Sequence, residues 1–323
     1  MKKILASVLM IALVSVAVAS GTMAYFSDVE TSTQNTFNAG TIDIAVDNQN
    51  PWTESYTVMY GESGDLKPCE TGLLEFTVQN VGTNPAVLWK HIKVDGVSTG
   101  TVSEPEQAWE AANGENNAID EVINYDMSVG GQVIFLDADG LSVDDIQCMW
   151  MPIGTLLPGE SVTVVQSYHL RPDVENWAQG DEMVFTMDLY AEQRMGTGPQ
   201  QLSHKLFLDN KTGEPDWYFV VDQTWGILEW SGGDGAATLL AQGLQASTGY
   251  SLITWNDATN TCAGIGAGTS DASGMLTLSG LTVPTLDGGK IWLVPTVDVV
   301  SDTTLNWANM GDYLWESNRV TNP

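Results

Sequence analysis

Basic side chains are scarce in this 323-residue chain, which carries 11 lysines and arginines against 41 aspartates and glutamates. A surface of that sign repels nucleic acid and anionic membranes, so neither is expected as a partner. Histidine is rarer still. His91, His169 and His204 stand far apart, without the H-E-x-x-H spacing that gives a hydrolytic zinc site two imidazoles and a general base. No G-x-S-x-G elbow or phosphate-binding loop occurs either, and the residues argue against an enzyme. Three cysteines leave at least one outside any intramolecular disulfide. Cys69 and Cys148 can pair; Cys262 is expected to be a buried thiol, with an intermolecular disulfide as the sharper alternative. Their spacings match no zinc motif.

Long apolar runs are also missing. The one at Ile4 to Val18 is too short for a membrane span, but with Lys2 and Lys3 before it and small residues after, it reads as a signal peptide. Cleavage after Ala19 or Ala24 fits, and Thr22-Met23-Ala24 favours the second. Residues 1–24 would then be the leader, Tyr25 the first mature residue and signal peptidase a transient partner; an uncleaved anchor is the alternative. The destination is extracellular space or the cell surface, with no stable span after cleavage. Removing Lys2 and Lys3 leaves 9 basic against 41 acidic side chains, a net of about −32. Copies of such a chain repel one another over a Debye length of about 8 Å at physiological salt, so self-assembly should be sensitive to salt and divalent cations. The plainer reading is that acidity keeps an exported protein soluble.

What is present is β-pattern. A hydrophobic content of 43% suffices for real cores. Ile42, Ile44 and Val46 alternate with polar neighbours, as do Leu74, Phe76 and Val78, then Val162, Val164, Gln166 and Tyr168, then Met183, Phe185, Met187 and Leu189. Residues 104–124 depart from this period and read as one or two helices broken near Gly114. The seam falls in Met195 to Gln201, where glycine and proline cluster. The expected organisation is an N-terminal segment at 25–40, a β-domain at 41–195, a linker at 196–201 and a second β-domain at 202–323. In the last, strands are expected at Trp217 to Val221, Ala237 to Leu240, Tyr250 to Trp255, Met275 to Leu278 and Lys290 to Val294, with Gly264 to Gly268 among the separators. The fold class is all-β: a jelly roll or sandwich with a short helical insertion, then a second sandwich-like domain.

Three features invite ligand readings. Seven of the 12 tryptophans fall after residue 201; Trp255 and Trp292 sit in strand runs and read as core, whereas Trp225 and Trp230, near loop signals, are candidates for stacking on surface glycans. Asp137, Asp139, Asp144 and Asp145 crowd hard oxygens suited to calcium, yet the spacing is no EF-hand and an acidic loop is the default. No other cofactor is indicated. Asn210-Lys211-Thr212 is a glycosylation sequon.

The pattern Gly21-Thr22-x-Ala24-x-Phe26-x-Asp28-x-Glu30-x-Ser32, then Asn35-x-Phe37-x-Ala39-Gly40-Thr41-Ile42-Asp43-Ile44, resembles the start of the TasA/camelysin family of secreted biofilm-matrix fibre proteins. Leu66-Lys67-Pro68-Cys69-Glu70 and Leu157-Pro158-Gly159-Glu160 continue it to about residue 195, with Cys69 standing where glycine is common. The resemblance implies head-to-tail polymerisation by donor-strand complementation, with Tyr25 to about Asn38 completing a neighbour's sheet. Phe26 and Phe37 supply aromatic anchors, Val29 lies between them, and the segment lacks proline, so Tyr25, Phe26, Val29 and Phe37 are the candidate contacts. A disordered mature terminus is the alternative reading. Some camelysin relatives are described as metallopeptidases, which the histidine pattern disfavours here. Gly249 to Ile253, Gly289 to Val294 and Tyr313 to Glu316 resemble a module of secreted archaeal surface proteins. The expected function is a secreted structural subunit of an extracellular fibre, with the chain itself as partner. A monomeric adhesin or glycan-binding protein is the alternative, and a secreted metallopeptidase the third.

Overall fold

Strands with alternating apolar side chains, together with two that are buried on both faces, arrange the first half of the molecule into two facing sheets. In the first, β1 (Ile44–Val46), β2 (Thr71–Asn80), β7 (Ser161–Leu170), β4 (Ile123–Val129) and β5 (Gln132–Phe135) lie side by side in that order. In the second, β3 (Ala86–Ser98) lies between β6 (Trp150–Leu156) and β8 (Glu182–Gln193). Every pairing is antiparallel. Leu74, Phe76 and Val78 of β2 and Val164 and Tyr168 of β7 point inward, meeting Leu88 and Ile92 of β3 and Met151 and Ile153 of β6. The all-β class is as the sequence indicates.

The computed structural model describes residues 40–53, 71–193, 198–201, 203–231, 236–284, 289–301 and 303–320. The leader, the donor-strand candidates Tyr25, Phe26, Val29 and Phe37, residue Cys69 and part of the expected linker lie outside the described residues.

One polar network runs through the sandwich core. Lys90 donates to Tyr125 Oη at 3.0 Å, and Tyr125 donates to Gln166 Oε1 at 2.8 Å. All three side chains are buried. Burial holds the Lys90 amine well below its ordinary pKa and the Tyr125 phenol well above its own, because neither charged form is solvated there.

Between β3 and β4 the chain forms the expected helical insertion, Glu104–Asn113. Ser103 starts it with a reciprocal cap: Glu106 N donates to Ser103 Oγ at 3.3 Å, and Ser103 N donates to Glu106 Oε2 at 2.9 Å. Pro105 fits the first turn, where its missing N–H is not needed. Gly114, at φ +100°, ends the helix in a conformation that side chains avoid, and a 3-10 turn follows at Ile119–Glu121.

The second half is a single antiparallel sheet of eight strands. Its members are β9 (Lys205–Asp209), β10 (Trp225–Trp230), β11 (Ala236–Gln242), β12 (Gly249–Asn256), β13 (Thr261–Thr269), β14 (Leu276–Thr282), β15 (Lys290–Pro295) and β18 (Leu314–Glu316). The order is β13-β12-β15-β18-β9-β10-β11-β14, with a small hairpin of β16 (Val299–Ser301) and β17 (Thr304–Leu305) beside it. The sheet curls until its outer strands meet: a Cβ on Gly266 of β13 would lie 2.3 Å from Leu281 Cδ2, and one on Gly268 would lie 2.5 Å from Leu278 Cδ2. The glycines read as a separator are therefore strand, and their bare backbone is what lets β13 approach the leucines of β14. Trp217 to Val221, expected as a strand, is irregular apart from one bridge between Lys211 and Phe219.

The two halves share a core. Trp225 and Phe207 meet the Phe135 ring edge-on, with centroids at 5.3 and 5.9 Å, and Trp225 Nε1 donates to Ile134 O at 3.0 Å. From Gly40 onward the chain forms one compact unit. On the other face of the eight-stranded sheet, Trp255, Trp292, Trp307 and Trp315 pack together, Trp292 and Trp315 at 4.7 Å.

Candidate functional site

The three-stranded sheet has unlike edges. On the β6 side the second half closes over the strand: Trp150 Nε1 donates to Gln200 O at 3.1 Å, and Ser317 Oγ donates to Trp150 O at 2.8 Å. On the β8 side, among the described residues, no strand pairs with the outer edge along its 12 residues. A strand of that length presents roughly 40 Å of alternating N–H and C=O groups. Backbone groups left so are a template for another strand.

Side chains give this edge an apolar floor. Met183, Phe185, Met187 and Leu189 point inward against the sandwich core but are only half-buried, whereas the inward residues of β2 and β7 are sealed. Phe185 rests on Tyr168 with centroids 5.6 Å apart, and Gln166 Nε2 donates to Met187 Sδ at 2.8 Å. The outward face carries Val184, 62% exposed, beside Thr186 and Asp188. An extended peptide laid here would gain main-chain hydrogen bonds and cover half-exposed apolar groups, the two components of strand addition.

The histidines are separately engaged. His91 is buried, with Nδ1 3.2 Å from Asp188 Oδ2 and its ring 5.0 Å from Trp150; burial lowers its pKa and Asp188 partly opposes that. His169 Nε2 lies 2.9 Å from Asp126 Oδ1, and its Nδ1 lies 3.0 Å from Thr71 Oγ1. His204 meets Trp230 edge-on at 5.8 Å. Among the described residues, no three His, Cys, Asp or Glu side chains are placed to hold a metal ion.

The calcium candidates are occupied locally. Asp137 accepts from Asn124 Nδ2 at 2.9 Å, and Asp139 accepts from Leu136 N at 2.8 Å. Asp144 accepts from Gln147 Nε2 at 2.7 Å, and Asp145 caps the helical turn Val143–Ile146 through Ser142 N at 2.7 Å. These carboxylates serve chain turns rather than converging on one point. Trp225 and Trp230 are both buried members of β10, and their rings pack into core. Turn signals on either side of a six-residue strand made that strand look like a loop. Asn210 is half-buried, its amide 3.4 Å from Asp222 Oδ2 or, turned over, 3.2 Å from both Val220 O and Asp209 Oδ1. Cys148 is half-buried with its thiol pKa pushed up by burial, and Cys262 is a buried thiol that donates to Ser301 O at 3.8 Å.

A family model described as camelysin metallo-endopeptidase matches residues 1–103. The metal such an activity requires does not fit the described residues, since each histidine has its own carboxylate, hydroxyl or aromatic neighbour and none shares a ligand set. No curated protein matches the chain. Over residues 1–103 the chain is thus similar to the camelysin, or TasA, family.

Proposed function

We propose that the chain is an extracellular matrix subunit that polymerises by adding the N-terminal segment of one copy to the outer edge of β8 in the next. The observation that carries this reading is the long unpaired edge with half-covered Met183, Phe185, Met187 and Leu189 beneath it. The family similarity supports an extracellular or cell-surface setting. In an extended segment, a period of two puts Tyr25, Val29 and Phe37 on one face and Phe26, Asp28 and Glu30 on the other. The first face suits the apolar floor of β8, and the second, with Phe26 beside Asp28 and Glu30, suits the outward face that carries Val184, Thr186 and Asp188. Each newly buried apolar side chain contributes roughly 1.5–3 kcal/mol, and each hydrogen bond about 0.5–1.5 kcal/mol. Ordering the segment opposes this by about 1–2 kcal/mol per residue. A pre-formed sandwich lowers the total cost, because only the incoming strand must be ordered.

Insertion of one copy into the next is heterologous and does not close, so its product is a filament. The segment carries Asp28 and Glu30 and β8 carries Glu182 and Asp188, so like charge opposes the joining and assembly depends on screening by salt or divalent cations. In this reading the chain is structural rather than hydrolytic. Electron microscopy of protein beginning at Tyr25, beside a version lacking residues 25–38, tests it. Filaments from the longer chain alone are the expected outcome; filaments of equal length from both refute the donor-strand role.

A further inference from the structure

A cleft of about 620 Å³ lies where β3 of the first half faces the irregular stretch after β9. Three of the 9 basic side chains beyond residue 24 line it: Lys211, Lys290 and Arg319. In a chain of net charge −30 these three cations balance Asp216, Asp257 and Glu316 of the same lining, so the cleft is locally neutral. Lys211 is half-buried, its ammonium 4.4 Å above the Phe219 ring, and it makes no hydrogen bond to any described residue. Burial holds its pKa below the ordinary value; Lys290 adds repulsion and Glu316 relieves part of it. Lys290 pairs with Asp257 at 2.9 Å.

Aromatic surface completes the lining. Trp217 and Phe219 are half-buried in the cleft wall, and Trp89 is fixed behind them, edge-on to Phe219 at 6.1 Å, with its Nε1 donating to Ser317 O at 2.6 Å. Glu316, held by Trp292 Nε1 at 2.5 Å, and Asp257 add acceptors. This combination selects for chemistry. A polyanion meets carboxylates inside the cleft and a negative field outside it. An apolar ligand would leave the Lys211 ammonium buried and unpaired. A molecule with one negative charge, several hydroxyls and a flat apolar face satisfies the cations, the carboxylates and the rings together.

We propose that this cleft binds a uronic-acid-bearing saccharide, its carboxylate on Lys211 and Arg319, its ring against Trp217 and Phe219, and its hydroxyls donating to Glu316 and Asp257. The cleft meets β8 only at Gln193, its last residue, and the assignment does not rest on polymerisation. The volume suits a short oligosaccharide, within the usual range of about 300–1,000 Å³ for small-molecule sites.

Titration of the exported chain with di- and trigalacturonate, read by tryptophan fluorescence and by calorimetry, tests the assignment. Saturable binding is expected, weakened at least about tenfold by methyl esterification of the sugar and by Lys211→Met, a change of about 1.4 kcal/mol. Arg319→Gln, at an exposed position, weakens it in the same direction and guards against a folding defect in the Lys211 variant. Three outcomes overturn the proposal: no binding at millimolar sugar, equal affinity for the methyl ester, or equal affinity for inorganic phosphate or a glutamyl dipeptide.

Discussion

The two halves of this molecule handle strand edges in opposite ways. The second closes its eight-stranded sheet by bringing β13 against β14, with Gly266 and Gly268 yielding space to leucines. The first, among the described residues, leaves β8 open along 12 residues and half-covers the side chains beneath it. Both halves are built from antiparallel strands, so the difference lies in which strand finds a neighbour. The difference teaches that closure of a sheet is local here and not a general property of the fold.

The comparison breaks most severely at the shared core. Trp225 belongs to the second half by sequence and to the first by contact, so Trp225→Ala should destabilise the chain by roughly 3–5 kcal/mol. Urea unfolding is expected to turn from one transition into two as the halves uncouple. Closure is the next target. Gly266→Val places methyl groups where Leu281 sits and should lower stability by about 1–3 kcal/mol. Adding Leu281→Ala should return part of that loss, a coupling that a double-mutant cycle reads directly.

A smaller effect sharpens the comparison within the first half. Asp181, just before β8, is pushed up to about 6 by burial and by the charges of Glu106 and Glu110, and neither of its oxygens finds a hydrogen-bond partner. The folded state therefore binds this proton more tightly than the unfolded chain does. Its contribution is fully present below pH 3.8 and is lost as pH rises through about 6. Asp181→Asn should flatten that segment of the stability profile, measured on the single urea transition at pH 4.5 and about 7.

Much of the β-character was legible, and the reason is physical. β2, β7 and β8 face core on one side and water or another sheet on the other, so their sequences alternate. The helix at Glu104–Asn113 was legible from its composition and the glycine after it. β3 was not. Ala86 to Ile92 are buried on both faces, between the sandwich core and the Trp89–Trp150 contact with the second half, and a strand covered twice has no alternation to read. The glycines of β13 misled for a related reason: their meaning depends on leucines of another strand, Leu281 facing Gly266 and Leu278 facing Gly268. The β8 edge was equally hidden, because whether a strand is an edge is decided by long-range pairing that no local pattern records. The cleft was hidden too, since Lys211, Lys290 and Arg319 are brought together only by the fold.

The length of β8 also bears on how such a joint carries load. Were a partner strand to lie along all 12 residues and the subunits to be pulled along it, the joint would be loaded along the strand. Its hydrogen bonds then share tension in shear and must break together, unlike a zipper that opens one rung at a time. A material made this way resists stretching through many weak bonds acting in parallel, with no covalent cross-link at the joint.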